Sequence, residues 1–149
     1  MGTSVAAIIY HKKKYFLQKR DNKKTIIFPN HLSLFGGMKE KSESCPAAMR
    51  RELFEEINIR FKDINKFFTY EITTKKLKYK RKRIYFLCTL PNNFEKNLDV
   101  KEGQYGKFYD IKNIDPQSIV PWDYSVLIYH QKISKTVSYT HLTLPTTPY

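Results

Sequence analysis

Cysteine is nearly absent from this sequence, with two in 149 residues, and Cys45 and Cys88 have no metal-ligand spacing. That excludes a disulfide framework and leaves both as free thiols expected in a reducing cytoplasm. No apolar run reaches the roughly 18 residues a membrane-spanning helix needs. The start, MGTSVAAIIYHKKK, has no basic region ahead of its short apolar run, so it reads as a strand and not as a signal peptide. Internal repeats and a linker are missing too, which leaves one domain. The four histidines have no metal spacing. No serine or cysteine has an evident base partner, so covalent nucleophilic catalysis has no support.

Acidic residues are also scarce, 14 against 27 lysines and arginines, for a formal net charge of +13. The excess suits an anionic partner such as a nucleotide, a polyphosphate or RNA, and a solvated lysine-rich surface meets it equally. The last thirteen residues, VSYTHLTLPTTPY, lack Asp, Glu, Lys and Arg altogether. They look like a translated sequencing adapter, so Val137 to Tyr149 is expected to be a non-native tail and the domain to span residues 1–136.

Against these absences stand 41% apolar and 15% aromatic residues, enough for a packed core. Ser4 to Tyr10 reads as a strand with Tyr15 to Arg20 as its hairpin partner. Pro29-Asn30 marks a turn, and Leu32 to Phe35 an extended segment ending at Gly36-Gly37. A helix follows from Ser44, a plausible N-cap, with Pro46 in its first turn. Phe67 to Thr73 and Arg83 to Leu90 read as strands joined by the basic segment Lys75 to Arg83. Tyr105 to Ile111 is a further strand, and Asp123 can cap a last helix with Trp122 as its hydrophobic staple or as a pocket wall. The order of elements implies an α/β fold, a mixed β-sheet flanked by helices.

The segment RRELFEEIN places Glu52, Glu55 and Glu56 within about a 100° arc of one helix surface. Met49, Leu53 and Ile57 form the apolar stripe beside it. Three carboxylates without lysines at i+4 repel one another, and a divalent cation removes that repulsion. A solvated acidic face is the bland alternative.

The wider stretch GMKEKSESCPAAMRRELFEEINI decides between them, because it resembles the Nudix box of the MutT/Nudix hydrolases. Gly37, Glu43, Arg51, Glu52, Leu53, Glu55, Glu56 and Ile59 occupy the positions of that pattern, and Asn58 stands where the family has glycine. Six fixed matches at set spacing arise by chance roughly once in 10^5 such chains. The resemblance implies a Nudix-type α/β/α sandwich from about Ser4 to about Ser134. It further implies that Glu52, Glu55 and Glu56, with the Gly37 carbonyl, hold Mg2+ or Mn2+, and that Glu43 and Arg51 support them. Glu102, in the Lys101–Gln104 segment, resembles a further acid that some relatives supply as ligand or general base. The implied reaction is metal-dependent hydrolysis of a nucleoside diphosphate linked to another group, with Glu55, Glu56 or Glu102 as the base. A catalytically silent nucleotide- or RNA-binding module on the same fold is the alternative. Arg20, Phe28 and Phe35 are candidates for substrate contact, through a phosphate or a stacked base. Asn58 is expected just past the helix, in the left-handed conformation that it tolerates next best after glycine.

Overall fold

The run SVAAIIY shows no alternation because most of it is buried on both faces. In the computed structural model, which describes residues 2–76 and 78–143, with 136–143 as backbone only, it lies mostly in β1 (Gly2–Ile8). The chain continues through β2 (Tyr10–His11), β3 (Lys14–Lys19), β4 (Leu32–Ser33), β5 (Phe35–Met38) and α1 (Cys45–Ile57). It ends with β6 (Ile64–Thr74), β7 (Tyr79–Cys88), β8 (Tyr105–Tyr109) and α2 (Pro121–Thr143). The expected foreign tail, Val137 to Tyr149, has no described side chains, and residues 144–149 lie outside the description altogether.

The order β5-β1-β7-β6 forms a mixed four-stranded sheet, parallel between β1 and β7 and antiparallel elsewhere. Val5, Ala7 and Ile9 point to the side where Met49, Leu53 and Ile57 of α1 pack, joined there by Ile84 and Phe86 of β7. Ala6, Ile8 and Tyr85 point the other way, into a second cluster with Val126 and Leu127 of α2. The layers are therefore helix, sheet, helix, as the fold class requires.

The hairpin expected of the first two strands is not made by β1. The chain changes sheets at Ile9, and β2 and β3 form the hairpin inside a second antiparallel sheet completed by β4 and β8. Two sheets replace one because β1, already flanked by β5 and β7, has no free edge. The basic segment Lys75 to Arg83 is also not simply a loop. Its second half is β7 strand, paired from Tyr79↔Thr74 to Arg83↔Tyr70, because the alternation of Tyr79, Arg81 and Arg83 fits one face of a strand.

Candidate functional site

Helix α1 starts where Ser44 accepts a hydrogen bond from the Ala47 N–H, 3.2 Å, with Pro46 in the first turn. It stops at Asn58, whose backbone is left-handed (φ 60°, ψ 32°) and whose N–H donates to the Phe54 carbonyl. The Asn58 side chain adds a bond of its own to the Asn97 carbonyl, 2.9 Å. The buried stripe of the helix includes one charged residue, Glu56.

The other acids of the box are tied to Arg51. Its guanidinium donates to both oxygens of Glu43, at 2.6 and 3.0 Å, and to the Met38 carbonyl at 3.1 Å, clamping the preceding loop onto the helix. The same group reaches Glu52 at 3.1 Å and Glu55 at 3.3 Å. The i,i+4 partner that lysine does not supply is therefore an arginine on the N-terminal side of Glu55. Hydrogen bonding to Arg51, then to the Glu40 backbone, holds the Glu43 carboxyl down at about 2.

Glu56 has no such partner. Its residue is 5% exposed, and among the described residues its Oε1 has no hydrogen-bond partner. Burial first, then the charges of Glu52 and Glu102, push its carboxyl up to about 9. Glu52 is raised as well, mainly by burial. Glu102 reaches this neighbourhood because the loop before it is bonded to the end of the helix. Asp99 N–H donates to the Ile57 carbonyl and Lys101 N–H to that of Glu56, 2.7 Å. Gly103 follows with φ +72° and passes so close to strand β3 that a Cβ there would lie 2.5 Å from the Lys19 carbonyl oxygen. Gly37 faces the helix, and a Cβ at this position would fall 2.5 Å from the Glu52 carboxyl. Only glycine lets the strand and this acid come so close.

A partly buried oxygen-only set, short of counter-charge and with one orphaned oxygen, has the chemistry a hard divalent cation selects. Among the described residues no three carboxylate, imidazole or thiol groups are drawn into a ready-made cation cage. Arg51 accounts for much of this, since it pulls Glu52 and Glu55 toward itself.

Gly36 and Gly37 also form part of the wall of a cleft of about 220 Å3. Arg20, Arg81, Arg83, Tyr79, Trp122 and Asp123 line it. Arg20 stands where substrate contact was expected. Phe28 stands one layer back, edge-on to Trp122 with ring centroids 5.3 Å apart. Phe35 does not reach the cleft: it is fully buried and stacks on Phe16 in the core. It is a core aromatic, as strand position and full burial dictate.

Trp122 is a wall and not a staple, stacked on Tyr79 at 5.1 Å. Asp123 does not cap α2, which already begins at Pro121. Its buried carboxylate accepts from Arg83 Nε and Nη2, from the Tyr85 hydroxyl and from the Leu34 N–H, at 2.7 to 3.1 Å. Burial opposes the Arg83 charge, but Asp123 outweighs it and raises the arginine's pKa. In the sequence Tyr79, Arg81 and Arg83 stood out only as part of the basic segment Lys75 to Arg83, and their alternation was the signal that sets them on one face. Ser33 and Gln18, also in the lining, offered none.

An α/β/α fold with an acid-bearing helix beside a cleft lined by arginines has the groups that phosphorylated ligands pair with. Residues 1–129 match the NUDIX domain, and the chain belongs to the Nudix family. Similar solved structures include a Nudix hydrolase from Nitrosomonas europaea, 23% identical, covering 87% of this chain and 88% of that one at a TM-score of 0.70. The MutT Nudix hydrolase from Burkholderia pseudomallei is 16% identical, with 82% and 92% covered and a TM-score of 0.70. The E. coli dihydroneopterin triphosphate pyrophosphohydrolase is 18% identical, with 83% and 90% covered and a TM-score of 0.62. No curated protein matches the sequence. Among the described residues no helix is long and apolar enough to cross a membrane.

Proposed function

We propose that this Nudix protein is a pyrophosphohydrolase that uses Mg2+ or Mn2+ to cleave the diphosphate bond of a nucleoside diphosphate linked to another group. The observation that carries the reading is Glu56, a buried carboxyl with an orphaned oxygen, crowded by Glu52 and Glu102 and bonded to the backbone of Gly36, which also walls the cationic cleft. Glu52, Glu55, Glu56 and the Gly37 carbonyl are the groups assigned to hold the metal, with Glu102 as a further candidate. A bound divalent cation would neutralise phosphate oxygens and acidify a coordinated water.

The rest of the work falls to the chain. Arg20 and Arg81 offer guanidinium donors to the part of the substrate that enters the cleft. The Arg51–Glu43 clamp keeps the glycine strand and α1 in register. Glu55, Glu56 and Glu102 are the candidates for the base that takes a proton from water, and the exposure of Glu55, 57% at its side chain, and of Glu102 favours these two. The silent-module alternative is not favoured, since no metal-ligating glutamate of the box has been lost.

The test is chromatographic separation of the products from nucleoside triphosphates, nucleotide sugars, dinucleoside polyphosphates and capped RNA, with and without Mg2+: a triphosphate yields phosphate or pyrophosphate, and each of the others yields two phosphorylated fragments. Metal-dependent turnover of at least one member supports the hydrolase. Silence across the set with nucleotide or RNA binding intact would favour the module. Raising salt separates the substrates further, because an RNA or polyphosphate contacted along its length loses kcat/KM steeply.

A further inference from the structure

The cleft beside the box holds more hydrogen-bonding capacity than the fold uses, and nearly all of it is donor. Asp123, its one acid, is spent: Arg83 twice, Tyr85 and the Leu34 N–H take the roughly four acceptor positions of a carboxylate. Arg20 donates only its Nε, to the Ile27 carbonyl at 3.1 Å, and Arg81 only one Nη, to the Lys80 carbonyl at 2.9 Å. Their remaining N–H groups have no acceptor among the described residues. Ser33 is 2% exposed, and its hydroxyl has no partner there either. A buried hydroxyl without a partner costs stability, so its presence in a cleft wall points to a ligand.

The other wall is aromatic. Trp122 and Tyr79 are stacked with 19° between their planes, and the Arg81 guanidinium lies 5.0 Å over the Tyr79 ring, so a flat ligand would meet the pair beside Arg81 and not enter between its members. We propose, resting on the hydrolase reading, that this cleft is a nucleobase subsite selective for bases with a carbonyl in place of an amino group at purine C6 or pyrimidine C4, with Ser33, Arg20 and Arg81 as its specificity residues. Guanine shows O6 and N7, and uracil two carbonyls, to such donors. Adenine and cytosine turn an amino donor toward groups that also donate.

Trp122 is the only tryptophan of the chain and reports on the cleft directly. Its fluorescence is to be titrated with GMP, UMP, AMP and CMP, and with ribose 5-phosphate as competitor, in chelator and without turnover. The expected result is binding of GMP and UMP on the order of tenfold tighter than AMP and CMP, with ribose 5-phosphate a weak competitor. Ser33→Ala should melt at the same temperature or higher and lose affinity for GMP more than for AMP. Equal binding of the four bases, tighter binding of AMP, no binding at all, or competition by ribose 5-phosphate as strong as GMP overturns the proposal. The last result would make the cleft a phosphate site. Because the titration needs neither metal nor catalysis, an inactive protein that still selects oxo bases would count against the hydrolase alone. An active one that ignores the base would count against this subsite alone.

Discussion

At Asp123 a fully buried carboxylate has both oxygens doubly bonded, chiefly to Arg83, and ties α2 to β7 and to the Leu34 backbone. At Glu56, nearly as buried, one oxygen has no partner, and burial with the charges of Glu52 and Glu102 outweighs the Gly36 backbone bond and the more weakly felt Arg83. Both acids face the same glycine strand region from different sides, yet one is a finished structural joint and the other is held in an environment that disfavours its charge. A satisfied buried charge needs nothing further to explain it. An unsatisfied one persists where binding or catalysis requires it.

The sharpest way to separate the two clusters is to neutralise one acid in each. Glu56→Gln should lower kcat by on the order of 10^2–10^4-fold and leave the protein folded, as rates and a melting curve on the same preparation will read. Asp123→Ala leaves Arg83 buried and unpaired and should cost about 3–5 kcal/mol of stability in urea titrations. Reversed outcomes, with Glu56→Gln unfolding the chain and Asp123→Ala merely slowing it, would invert the comparison.

The pH dependence of stability gives a smaller contrast. The folded protein keeps the Glu56 proton up to about 9, whereas the unfolded chain releases it near the ordinary 4.5. The unfolded state then binds fewer protons, so metal-free stability falls as pH rises between those values, by on the order of a few kcal/mol. Glu56→Gln should remove that slope. His130 supplies a control on the far side of the sheet, bonded to the Tyr15 hydroxyl at 2.6 Å and lowered to about 4 by burial. Its contribution is present above 6.5 and lost as pH falls toward 4, so the two groups act in opposite directions.

What was legible in the sequence follows the same division. Period, caps and box spacing located α1 within a residue, and Asn58 adopts the left-handed cap expected of it. The crossing of the chain between sheets at Ile9 left no mark, because a continuous apolar run looks the same whichever sheet it joins. Trp122 read as staple or pocket wall and Asp123 as cap, with no way to choose the wall, because staple and cap are local roles whereas the partners Tyr79 and Arg83 lie some forty residues upstream. Long-range pairs are invisible to patterns read along one segment. The smallest expected effect belongs to this part of the molecule. Asn58→Gly should change stability by about 1 kcal/mol or less, since relief at a left-handed residue is offset by loss of the bond to Asn97, and turnover should not move.

The proposed metal role of Glu56 and its neighbours is checked by calorimetric titration of Mn2+ into the wild type and into Glu56→Gln at neutral pH. A saturable isotherm in the wild type, weakened at least about tenfold by the substitution, is the expected result. Equal affinity in the two proteins, or no binding by either, would contradict it.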